Sequence, residues 1–106
     1  MIEFLFWEGC PSYERALADL IDLMDSLDIE RDALRVIEVL DEEQAQREKF
    51  IGSPTIRIGK TDVQEPNHQH YGLECRIYTH RDGRVSPLPD REDLKHLLAE
   101  YAEQNA

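Results

Sequence analysis

Cys10 and Cys75 are the residues of this chain best suited to covalent chemistry. Two cysteines are too few to build a disulfide scaffold, so in a reducing compartment each must be explained by packing, metal binding or reactivity. Cys10 stands between an apolar run that stops at Gly9 and an amphipathic stretch that opens at Pro11. Proline suits the first position of a helix, which puts Cys10 at the N-cap. Unpaired N–H groups and the positive end of the helix dipole favour a thiolate there, and so a reactive sulfur, while Glu8 and Glu14 work against it. The bland alternative is a small, half-buried hydrophobe that happens to cap a helix, a place cysteine does not favour.

Cys75 lies in an alternating stretch with Leu73 and Ile77. It reads either as a core cysteine packed with those two or as a second thiol that resolves a bond made by Cys10. Bridging needs Cα atoms within about 7 Å, and the irregular stretch before Cys75 leaves that open. His68 and His70, with Glu65 and Tyr71 nearby, have the makings of a metal site or a lid over Cys10. At that spacing in an acidic loop they are expected to be solvated, so no metal site and no cofactor are expected. A protease-type thiol–histidine pair needs a third, orienting group, and nothing marks one.

The elements that must position these residues follow from periodicity. Ile2-Glu3-Phe4-Leu5-Phe6-Trp7 is short, apolar and aromatic, which predicts a buried strand with Trp7 packed at its end. Tyr13, Ala16, Leu17, Leu20, Ile21, Met24 and Leu27 recur at helical spacing, with acids between them. A second, mostly buried strand is predicted over 34–40. Asp41 and Gln44 form a capping-box pattern that opens a charged helix through Phe50. Gly52-Ser53-Pro54 breaks that helix, and Thr55-Ile56-Arg57-Ile58 reads as a third strand ended by Gly59. Residues 62–72 have neither period and are predicted to be a loop. A fourth strand is expected over 73–78, with a turn at 81–84. A last helix should be capped by Asp90, bury Leu94, Leu97, Leu98 and Tyr101, and fray from Glu103.

Composition narrows the function. The chain has 106 residues, net charge −11 and pI about 4.6, which predicts a single acidic α/β domain over 1–106. Such a surface repels phosphate backbones and anionic lipid, so neither nucleic acid nor membrane is an expected partner. No run approaches the roughly 18 apolar residues of a membrane span, and the first residues lack the pattern of a signal peptide, so the expected location is the cytoplasm.

The order β-α-β-α-β-β-α, with Cys10-Pro11 at the first strand–helix junction and Ser53-Pro54-Thr55 opening the third strand, resembles the thioredoxin fold in its glutaredoxin-sized form. Gly9-Cys10-Pro11 and Gly72-Leu73-Glu74-Cys75-Arg76 are similar to a group of small bacterial thioredoxin-like proteins. The resemblance implies a four-stranded mixed sheet flanked by three helices and a thiol redox role. It also implies a cis peptide before Pro54, although X-Pro bonds in folded proteins are cis in only about 5 to 6% of cases. A cis bond of that kind leaves the Ser53 backbone facing Cys10 and free to pair with an extended peptide or thiol substrate. Pro11, Tyr13, Ser53 and Pro54 are then the expected substrate contacts.

Tyr13 stands where a dithiol thioredoxin has its second cysteine, so the implied enzyme is a monothiol thiol–disulfide oxidoreductase. Cys10 is its nucleophile, and glutathione, another thiol or Cys75 resolves the mixed disulfide. The expected partner is a thiol or disulfide of a protein or small molecule. The glutaredoxin Gly-Gly before the last helix is missing, since residues 85–90 read Val-Ser-Pro-Leu-Pro-Asp, so glutathione specificity is not implied. Two alternatives stand beside this reading. One is a non-catalytic binding or adaptor domain of the same fold. The other is a handler of soft metals or organomercurials that uses both thiols.

Overall fold

The computed structural model describes residues 1–64 and 70–105. Its centre is a four-stranded mixed sheet of β1 (Ile2–Phe6), β2 (Leu34–Glu38), β3 (Thr55–Ile58) and β4 (Thr61–Asp62), in the order β2-β1-β3-β4. β1 runs parallel to β2 and antiparallel to β3, and β3 turns back through Gly59 and Lys60 into β4. The crossover from β1 to β2 is α1 (Tyr13–Ser26), as a parallel pair requires. α2 (Glu42–Glu48) joins β2 to β3, a small hairpin pairs β5 (Tyr78–Thr79) with β6 (Val85–Ser86), and α3 (Arg91–Gln104) follows.

Alternation along β1 divides the core between the two faces of the sheet. Ile2 and Phe4 point to one face, with Ile56 and Ile58, under Ala16, Leu20, Leu23 and Met24 of α1 and Leu94 and Leu98 of α3. Leu5 points to the other, with Ile37, Val39 and Phe50 and with Ala45 of α2. Both faces of β1 are covered, which is why its sequence is nearly continuous in apolar residues.

The helix ends follow local chemistry. Asp41 accepts from the Gln44 N–H at 2.8 Å while Gln44 Oε1 accepts from the Leu40 N–H at 2.9 Å, a variant of the expected capping box. That helix stops at Glu48, short of the expected Phe50, because Lys49 turns left-handed (φ 54°) and carries Phe50 into the core. Asp90 caps α3 by accepting from the Glu92 and Asp93 N–H groups at 2.9 and 3.3 Å, and its other oxygen accepts from the Arg81 N–H at 2.8 Å. Those N–H groups, Arg81 first, hold the Asp90 carboxyl below its ordinary range. Asp90→Ala is therefore expected to cost about 1 to 2 kcal/mol in urea unfolding at neutral pH. A lowered carboxylate stabilises the fold above its unfolded value and loses that effect in acid. The gap between variant and parent should thus close as pH falls below about 4.

Four expectations need correction. α1 begins at Tyr13 with Ser12 at its N-cap, so Cys10 and Pro11 precede the helix; the Cys10 N–H instead closes a turn on the Trp7 carbonyl at 3.1 Å. β2 ends at Glu38 and is mostly exposed, with Val36 46% accessible, because it is the edge of the sheet. The fourth strand of the sheet is Thr61–Asp62, whose second residue opens the predicted loop, and the stretch expected there, 73–78, lies outside this sheet, its last residue starting the separate β5–β6 hairpin. α3 continues through Gln104 rather than fraying at Glu103.

Candidate functional site

β1 carries the chain to the site and β3 leaves from it. Leu5 is opposite Thr55 in the antiparallel register, so the turn after β1 and the residues before β3 lie side by side. Trp7 donates its N–H to Ser53 Oγ at 3.1 Å, and Thr55 Oγ1 donates to the Gly52 carbonyl at 2.6 Å. The Ser53–Pro54 peptide is cis. Trp7 is half-buried against the cluster of Leu5, Ile37, Val39, Ala45 and Phe50, and Gly9 lies so close to its indole that any added Cβ would collide with the ring.

The stretch that carries Cys75 lies along these residues. Ser53 donates its N–H to the Glu74 carbonyl at 2.8 Å, and its carbonyl accepts from the Arg76 N–H at 2.9 Å, so Ser53 and Cys75 form a parallel bridge. Cys10 Sγ is 3.6 Å from the same Ser53 carbonyl. The Cα atoms of Cys10 and Cys75, 65 residues apart in sequence, are 5.5 Å apart and the sulfurs are joined as a disulfide.

Residues outside the expected site set hold this stretch in place. Gly52, at φ +132°, meets Arg76 so closely that an added Cβ would lie 2.9 Å from Arg76 Cβ and 3.2 Å from its Cα. Arg76 is buried and makes a two-pronged ion pair with Asp62, at 2.9 and 2.7 Å, while also donating to the Gln64 carbonyl. Its guanidinium stacks over the Tyr78 ring, 4.3 Å from the centroid. Tyr78 is fully buried and donates its hydroxyl to the Pro54 carbonyl. Burial pushes its phenol well above the ordinary value, with Asp62 adding to the shift and Arg76 opposing it, so it stays a donor. Gly72 donates to the Phe50 carbonyl at 3.0 Å, and Gln46 Nε2 donates to the Tyr71 carbonyl at 3.0 Å.

The expected site residues therefore meet, with changes in what they can do. Cys10, Ser53, Pro54 and Cys75 lie together, with Pro11 exposed beside them. Ser53 is not free to bind an extended substrate, because its N–H and C=O are both taken by the chain's own residues 74 and 76. Tyr13 stacks on Phe6, ring centres 4.3 Å apart, and burial there, with Glu14 and Glu8, raises its phenol above the ordinary value. Cys75 is exposed, as is Ile77, and Arg76 and Tyr78 turn inward, which excludes the core packing of Cys75 with Leu73 and Ile77. The alternation leaves either side free to face inward; Arg76 and Tyr78 share the side that does, where the buried arginine finds its acid partner in Asp62.

His68 and Glu65 of the proposed loop cluster lie outside the described residues. Among the described residues no group of three or more His, Cys, Asp or Glu converges on a possible metal position, and no helix is long and apolar enough to cross a membrane. No family model, curated protein or solved structure matches the chain.

Proposed function

We propose that this chain is a cytoplasmic thiol–disulfide oxidoreductase of thioredoxin type, in which Cys10 and Cys75 form one dithiol–disulfide couple. The observation that carries the reading is the approach of the two cysteines, Cα to Cα 5.5 Å, with Cys10 against the Ser53 carbonyl and Cys75 bridged to Ser53. The strand order β2-β1-β3-β4, a cysteine after β1 and a cis-proline opening β3 support the fold assignment. Because Tyr13 excludes a bond within the Cys10 motif, the second sulfur comes from a distant segment held by Gly52, Asp62 and Arg76.

The chemistry is exchange. A protein thiolate attacks a substrate disulfide, one substrate thiol leaves, and the second protein thiolate attacks the mixed disulfide to release the other. Two electrons pass from the protein to the substrate, which ends as two thiols. An adaptor that bound peptides through Ser53 would need that backbone open, and it is occupied.

The test is the mass of protein oxidised by a small disulfide and then digested with trypsin. The expected product is two hydrogens lighter than the reduced chain and yields peptides 1–15 and 61–76 joined by one bond. Two separate adducts, or free thiols on both peptides, would contradict the couple.

A further inference from the structure

We infer that Cys75, not Cys10, is the sulfur through which the couple exchanges with outside thiols; this rests on the oxidoreductase reading above. Exchange at a disulfide requires a thiolate to reach one sulfur while the other leaves, so access decides which cysteine forms the mixed disulfide. Access differs sharply between the two. Cys10 is 1% exposed, held between the turn on Trp7 and the Ser53 carbonyl. Cys75 is exposed, and its neighbour Ile77 is 68% exposed, so the outer side of the bond is open at Cys75.

Attack from that side drives Cys10 inward as the leaving group. There the Ser53 carbonyl, 3.6 Å away, accepts the thiol proton once Cys10 is protonated. The entering thiol gains no help from strand pairing at Ser53, whose N–H and C=O are already bonded to residues 74 and 76. Access to one sulfur suffices for a low-molecular-weight thiol.

A thiolate of the small thiol bonds to Cys75 Sγ, the Cys10–Cys75 bond breaks, and Cys10 takes a proton from water. A second thiolate attacks the small-thiol sulfur of the mixed disulfide, releases Cys75 and leaves the small thiol as its disulfide. The protein gains two electrons and the two small thiols lose them. In the reverse direction Cys75 attacks first and Cys10 resolves, which inverts the roles that the position of Cys10 after β1 suggests.

Glutathione is the probe. Oxidised wild-type protein is mixed with reduced glutathione, quenched in acid at short times, alkylated and digested. The expected adduct is glutathione on peptide 61–76 with alkylated Cys10 on peptide 1–15. With oxidised glutathione, reduced Cys10→Ser should acquire its adduct at Cys75 at least about tenfold faster than reduced Cys75→Ser acquires one at Cys10. Adducts on peptide 1–15, rates within about threefold, or no adduct on a protein that does carry the internal bond would each overturn the inference while leaving the couple in place. Absence of the internal bond after oxidation would instead remove the oxidoreductase reading itself. The wild-type arm needs no substitution, so poor folding of a variant does not protect the claim.

Discussion

Asp62→Ala is expected to destabilise the fold by about 3 to 5 kcal/mol, the cost of leaving one member of a buried ion pair without its partner. The side chains of Arg76 and Asp62 are only 7% and 14% exposed, so water does little to replace the lost carboxylate. What remains around the guanidinium is the Gln64 carbonyl and the face of Tyr78. For a chain of this length the loss corresponds to a fall in Tm of more than about 12 °C. Replacing both partners with apolar residues, as in Asp62→Leu with Arg76→Met, should recover most of it, because a buried pair contributes little net stability over a well-packed hydrophobic one. Thermal unfolding of the reduced proteins measures both. A loss below about 1 kcal/mol for the single variant would show that Arg76 is not held as described.

Gly52→Ala is the second large effect. The position needs φ +132°, a region that side chains disfavour by about 1 to 3 kcal/mol. The new Cβ would also sit 2.9 Å from Arg76 Cβ, with backbone close behind, and overpacking of this kind costs a further 1 to 3 kcal/mol, roughly. The relief available is movement of residues 74–76 away from Ser53, and that movement also takes Cys75 from Cys10. Gly52→Ala should therefore lose about 3 kcal/mol of stability and slow internal disulfide formation about tenfold or more, since bridging tolerates little change in Cα separation. Asp62→Ala acts on the same segment from its other side, so the two changes are expected to be non-additive. An unchanged rate of bond formation in Gly52→Ala would separate the glycine from the site.

Much of this arrangement is legible in the sequence, for identifiable reasons. β1 and β3 announce themselves because apolar runs end at glycines, and the caps at Asp41 and Asp90 because short polar side chains satisfy free N–H groups. Pro11 misled: its fixed φ suits the start of a helix, but the Cys10 N–H is spent on Trp7 and helical bonding begins with the Ser12 carbonyl, which accepts from Ala16. The segment around Cys75 misled for a different reason. Its alternation has two possible inward sides, and the choice between Leu73, Cys75, Ile77 and Arg76, Tyr78 is made by Asp62, 14 residues before Arg76 in the chain. Local pattern contains no information about that pairing. β4 is two residues long, too short for periodicity to register. The approach of Cys10 to Cys75 depends on both of these and so becomes definite only in three dimensions.

A redox equilibrium reads out whether Cys10 and Cys75 act as one reversible couple. Protein is equilibrated in glutathione buffers of graded potential, quenched in acid, alkylated, and its free thiols counted by mass. The expected species carry either two free thiols or none and interconvert from both directions along a two-electron curve that changes tenfold per about 30 mV. Populations dominated by a single free thiol, or a bond that neither forms nor breaks across the series, would contradict it.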